Sequence, residues 1–218
     1  MKEICISVLV MLSLCLAAHA ADPRQLPKQR PQINKQIQGM TPGQLKVQQY
    51  VQIDKDGNKV VQDNATRLMW EVKSAKDGYI DYANPNDADN VYTWHDPNPA
   101  TNGGGQGLRG NGTDTHDFIA AMNNVGFAGY KDWRLPTVDE LKTLIVETEG
   151  YPKINLELFP NTQTRTNTQV HHYWTSTTYD YSNPAGTCAW VVGFNVGRAS
   201  GNFSKHSRCH VRAVRTFR

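Results

Sequence analysis

Hydrophobic and polar positions change period along the chain, and the changes mark its elements. Tyr50-Val51-Gln52-Ile53 and Lys59-Val60-Val61-Gln62 are short β-type runs around Asp54-Lys55-Asp56-Gly57-Asn58, so they predict a hairpin turning at Asp-Gly. Leu68 to Val72 reads as a further core strand. Phe118, Ile119, Ala121 and Met122 then form an apolar stripe at helical spacing, with Thr113, Asp114 or Thr115 placed to cap it and Asn123-Asn124-Val125-Gly126 placed to end it. A second helix starts after Pro136, whose ring disfavours helix at Leu135. Thr137 stands three residues before Glu140, a capping box, and Leu141, Leu144 and Ile145 follow on one face. The last third returns to strands: Tyr173 to Thr177, Ala189 to Val196 and Cys209 to Val214 are rich in aromatic and β-branched residues.

The two ends of the chain behave differently. Met1 to Ala20 has a lysine, an apolar run from Ile4 to Ala18 and the small-x-small step Ala18-His19-Ala20, which predicts a secretory signal peptide. The run is too short to span a bilayer. A lipoprotein alternative would acylate Cys15, but Leu14 stands where a small residue is expected. Residues 21–46 are rich in Gln, Pro and Lys and predict a flexible linker, leaving 47–218 as one domain. Export places the product in the periplasm, on the cell surface or outside the cell. The two cysteines beyond the leader, Cys188 and Cys209, then predict a disulfide worth about 3 kcal/mol, with two free buried thiols as the alternative.

Charge is uneven although the formal total is only +3. Residues 21–46 set five basic side chains against Asp22, and Arg198, Lys205, Arg208, Arg212, Arg215 and Arg218 face no carboxylate after residue 185, so the middle carries about −7. A basic end on an acidic body suits a sulfated or carboxylated polysaccharide, or is an ordinary clustering of exposed charge.

Lys73 to Asp114 is a long polar insertion whose carboxylates, amides and Trp94 suit sugar hydroxyls. Gly105-Gln106-Gly107-Leu108-Arg109-Gly110 matches the spacing of a dinucleotide fingerprint, but no strand precedes it and no helix follows directly, so nucleotide binding is excluded. Asp54 and Asp56 with Gly57 lack the further ligands of a calcium loop. His171 and His172 are adjacent and cannot share a metal from a regular strand, and His206 and His210 lie four apart in strand-like sequence. No helical zinc motif, nucleophile elbow or paired-cysteine spacing occurs, so no metal or cofactor is implied.

Several pieces carry a resemblance when taken in order. They are Asp63 to Trp70, Gly129 to Leu141, Phe159-Pro160, Tyr173 to Thr177, Ala189 to Phe194 and Val211 to Arg215. The set resembles the Lcl C-terminal domain family, also called DUF1566 and named after a collagen-like bacterial adhesin. The resemblance implies an α+β, C-type lectin-like fold, related to formylglycine-generating enzymes, with two helices packed on a twisted antiparallel sheet and long loops. Trp70, Trp133, Arg134, Pro136, Trp174 and Trp190 fall in its structural motifs. In proteins that look like C-type lectins the C-terminal loops form the ligand face, which here contains Tyr179, Asp180, Tyr181, Asn183, Arg198, Asn202, Lys205 and His206. The implied task is a non-catalytic, adhesin-like module that recognises polysaccharide or a surface protein, with no nucleic acid and no membrane span in the mature chain. The alternatives are an assembly subunit of a surface complex and a redox or modifying enzyme using the cysteine pair.

Overall fold

The computed structural model describes residues 49–218 apart from 148, 165–170 and 183. The expected leader, the linker and Asn183 lie outside the described residues. The order is β1 (Tyr50–Lys55), β2 (Asn58–Asp63), β3 (Leu68–Glu71), α1 (Thr115–Val125), a 3₁₀ turn (Phe127–Gly129), α2 (Val138–Lys142), β4 (His172–Thr178), β5 (Cys188–Gly193), β6 (Arg198–Ser204) and β7 (Val214–Thr216). The chain is therefore α+β, with two helices and two antiparallel sheets, β1-β2-β3-β7 and β4-β5-β6, where a single sheet was expected. No described helix is long and apolar enough to cross a membrane.

Local chemistry sets these elements. In the first hairpin Lys55 pairs with Asn58, which leaves Asp56 and Gly57 as a two-residue turn with φ of 55° and 80°. Two successive positive φ values match the right-handed twist of the strands, which is why an Asp-Gly step stands there. Asp114 caps α1 by accepting from the Asp117 amide, and Gly126 closes it in the left-handed region. Thr137 and Glu140 form both halves of the capping box on α2.

Strand alternation divides the core in two. Val60, Met69, Trp174 and Val191 join Phe118 and Met122 of α1, whereas Val61, Trp70, Tyr173 and Val192 join Leu141 of α2 and Leu144 just beyond it. Neighbouring residues of one strand thus serve opposite faces, and each helix covers one face. The segment 209–214 is buried throughout. Its odd members Cys209, Val211 and Ala213 enter the α1 side, while Val214 enters the α2 side. The final strand expected from Cys209 is regular only from Val214. Before that point the chain bridges to Tyr92 and Tyr173 and so ties the two sheets together.

The stretch around Trp133 explains itself as a junction. Asn123 at the end of α1 exchanges two hydrogen bonds with the Trp133 backbone at 2.8 and 2.9 Å, and the Trp133 indole donates to the Phe127 carbonyl. Arg134 pairs with Val214 through the backbone and grips Glu140 with two bonds of 2.7 Å. Asp132 meets Arg215 at 2.7 Å. One short segment therefore fixes the end of α1, the start of α2 and the position of β7.

Candidate functional site

The residues expected on one ligand face are not gathered in one place. Cys188 pairs with Ser204 at one end of the β5–β6 ladder and Gly193 pairs with Arg198 at the other. Tyr179 follows the end of β4 at the Cys188 end and its ring lies against Gly201, so Arg198 is three residues further along β6, about 10 Å away along the strand. Lys205 is not exposed at all. Its ammonium is buried, donates to the carbonyls of Asn102 and Gly105 at 2.8 and 2.6 Å, and sits 4.1 Å from the centre of the Trp94 ring. It is a clamp on the insertion. His206 and Asn202 are exposed, and Asn202 accepts from Ser200 at 3.0 Å.

What does come together is an aromatic shelf. Tyr181 is 87% exposed and stands edge-on to Tyr179 at 5.8 Å, and Tyr179 rests edge-on against Trp190 at 5.6 Å. Gly201 makes this possible, because a Cβ there would come within 2.2 Å of the Tyr179 ring. Asp180 is exposed between the two tyrosines.

The cysteines are a correction. Cys188 and Cys209 are free thiols and the expected bridge is not formed. Cys188 opens β5 opposite Ser204, whereas Cys209 exchanges two backbone bonds with Tyr92, so the residues are committed to different partners. Burial pushes the Cys209 thiol well above its ordinary value, which leaves it protonated and a poor nucleophile.

The insertion 73–114 also departs from expectation. Tyr92 to Trp94 is a buried rib, held to Cys209 and Lys205 on one side and to Asp114 on the other. Trp94 is 1% exposed and its indole donates to Thr175, so it does not face sugar. The glycine-rich stretch serves close approach: a Cβ on Gly107 would strike the Trp94 carbonyl and one on Gly105 the Gly186 carbonyl.

Two clusters of ionisable groups were missed by sequence reasoning. In the interior Glu71 binds Lys73 at 2.9 Å, accepts from Asn86 at 2.8 Å and from the Ala213 amide at 2.8 Å. Arg212 donates to the Glu71 carbonyl at 2.6 Å and to Thr162 at 2.9 Å, and lies over the Phe159 ring. Burial pushes the Lys73 ammonium below its usual range, and Glu71 beside it opposes that shift. The second cluster borders a hollow of about 410 Å³ between the insertion and the start of α1. His95, His116 and Asp117 line it, and ligand atoms of Asp114, His116 and Asp117 lie within 4.8 Å of one another.

His171 and His172, expected to point apart, instead have rings 4.2 Å apart. His171 precedes β4, so strand alternation does not apply to it. Burial and then the His171 charge lower His172 to about 4.

Comparison with known families finds a match to the Lcl C-terminal domain over residues 59–215, and the chain belongs to that family. No curated protein and no solved structure matches the chain.

Proposed function

We propose that this member of the Lcl C-terminal domain family is a non-catalytic binding module, exported and adhesin-like, that recognises polysaccharide through the Tyr179–Tyr181 shelf, on a C-type lectin-like frame. The observation that carries the reading is the shelf itself. Tyr79 and Tyr151 are almost as exposed as Tyr181, but Tyr181 stands edge-on to Tyr179, whose own ring is seated against Trp190 and Gly201, so the surface here is a supported group of rings rather than a lone one. Rigid aromatic faces beside a carboxylate suit the C–H faces and hydroxyls of a sugar ring, and such anchors lose little entropy on binding. The cysteine chemistry of a modifying enzyme fits poorly with a buried, protonated Cys209.

The test is an array of sulfated, acidic and neutral glycans at low salt, with Tyr181→Ala alongside the parent. Binding is expected, and the variant is expected to be about tenfold weaker, the order of one interface anchor. Signal no higher than background, together with capture of one protein partner from the native envelope, would replace this reading with that of an assembly subunit.

A further inference from the structure

We propose that His95, His116 and Asp117 form a binding site for a divalent transition-metal ion of the zinc type, separate from the aromatic shelf. The site is prepared by the backbone. The rib carrying His95 runs beside the start of α1, with Thr93 bridged to Asp114 in parallel. The bridge stops at the cap of α1, so His95, two residues along the rib, comes beside the first turn of the helix, which contains His116. Thr115 fixes it from both sides, since its hydroxyl accepts from the His95 amide and donates to the His95 carbonyl at 3.0 Å each. The two imidazole rings stand 6.0 Å apart, edge to face.

The orientation of His95 is the second, independent observation. Its Nδ1 lies 3.1 Å from the Gln106 carbonyl. A carbonyl only accepts, so Nδ1 is the donor here, and in the neutral imidazole Nε2 is then the nitrogen with the lone pair. That is the arrangement by which metal-ligating histidines are held, one nitrogen anchored on the backbone and the other presented. His116 is exposed and its ring makes no hydrogen bond among the described residues. Asp117 spends one carboxylate oxygen on the Gly112 amide, which leaves the other free. Asp114 stands behind them, fully buried, with its oxygens on the Gly110 and Asp117 amides. It acts as a brace and as negative charge rather than as a ligand.

The charges are compatible with a cation. The positive end of α1 and Arg109 at the edge of the hollow oppose it, but two carboxylates stand against them. Two imidazoles and one carboxylate favour zinc, nickel or copper over magnesium or calcium, which prefer oxygen alone. Tetrahedral zinc needs ligand atoms roughly 3.3 Å apart, at bonds of about 2.0 Å. Small side-chain rotations bring His116 and Asp117 there from within 4.8 Å, whereas His95 lies outside that group and has to close part of the 6.0 Å between the ring centres by a side-chain movement. Three protein ligands leave a fourth position facing the hollow.

The experiment is a calorimetric titration of the chelator-treated full chain with zinc ion alone. One zinc per chain is expected, and His95→Ala and His116→Ala are each expected to weaken it by about tenfold or more. The exposed His206→Ala control is expected to bind as the parent does. Melting of the metal-free variants checks that the fold persists. Absence of stoichiometric uptake, or uptake unchanged in a His95→Ala, His116→Ala double variant, overturns the proposal. The titration contains no glycan, so its outcome is independent of the shelf reading.

Discussion

The charges around Glu71 and those around His95 are both organised by the insertion, yet one group is closed and the other open. Asn86 of the insertion reaches Glu71, and the rib at Tyr92 to His95 delivers the imidazole. Around Glu71 the acid and both cations have partners and aromatic rings pack against the cations, although the buried Arg212 Nε is left without a hydrogen bond among the described residues. None of these residues lines the histidine hollow. Around His95 lone pairs remain available at a surface. Ionisable groups that are buried and paired with one another hold the fold, whereas the open group presents its lone pairs to a hollow. A buried charge cluster is thus no argument for catalysis here.

Breaking the closed cluster is expected to have the largest effect. Arg212→Ala removes a buried cation from beside Glu71 and leaves the Glu71 carbonyl and the Thr162 hydroxyl without their donor, a change worth about 3–5 kcal/mol. For a domain of this size that lowers the melting temperature by on the order of 10 °C. Thermal unfolding of the domain measures it, and a shift of a degree or two would mean that the network is solvated or readily replaced. The histidine variants of the open cluster are the contrast, since without metal they should barely move the same transition.

Much of this frame is legible in the order of residues alone. Thr137 with Glu140, Asp114 before a helical stripe, and Asp56-Gly57 between two alternating runs each announce a local geometry that depends only on near neighbours. The capping box and the hairpin turn are found where the chain predicts them, and of the three candidate caps Thr113, Asp114 and Thr115 it is Asp114 that caps α1. The failures share a different cause. Tyr92 to Trp94 sits in a polar context that reads as loop, and its burial depends on Cys209 and Lys205, more than a hundred residues later. Lys205 reads as a surface base because its partners are backbone carbonyls of a glycine run, which no side-chain pattern reveals. The metal candidates were hidden similarly: His95 and His116 are separated in sequence and meet through the Thr93–Asp114 bridge and the Thr115 hydroxyl. The one available signal was Asp114-Thr115-His116-Asp117 at a capped helix start.

Lys205 gives the intermediate effect, because it is a closed contact at the edge of an open region. Lys205→Met keeps the stem over Trp94 but removes both donors, so the Asn102 and Gly105 carbonyls lose their partner at a cost of about 1–3 kcal/mol. Hydrogen exchange is expected to rise around residues 102–107 while the α1 core stays protected. Uniformly faster exchange across the domain would show that the clamp supports the whole fold rather than this loop.

A pH dependence at His172 comes last, because it is absent at neutral pH and solvent at the half-buried ring screens part of it; the residue lies between the two kinds of environment. Its ring packs on Phe203 at 4.3 Å and on His171, and its Nδ1 is buried without a hydrogen bond. Burial, then the His171 charge, hold it at about 4, against an ordinary value of 6.5. The folded chain therefore keeps the ring neutral where the unfolded chain accepts a proton. The corresponding stability is present in full above about pH 6.5 and is lost as the pH falls from there toward 4. In His172→Gln this part of the acid slope is expected to disappear, leaving a flatter denaturation midpoint between pH 6.5 and 4 than in the parent. Equal slopes in the two proteins would mean that the ring is hydrated in solution. His172 would then belong with the open groups, and the division between held and available charge would have to be redrawn at this strand.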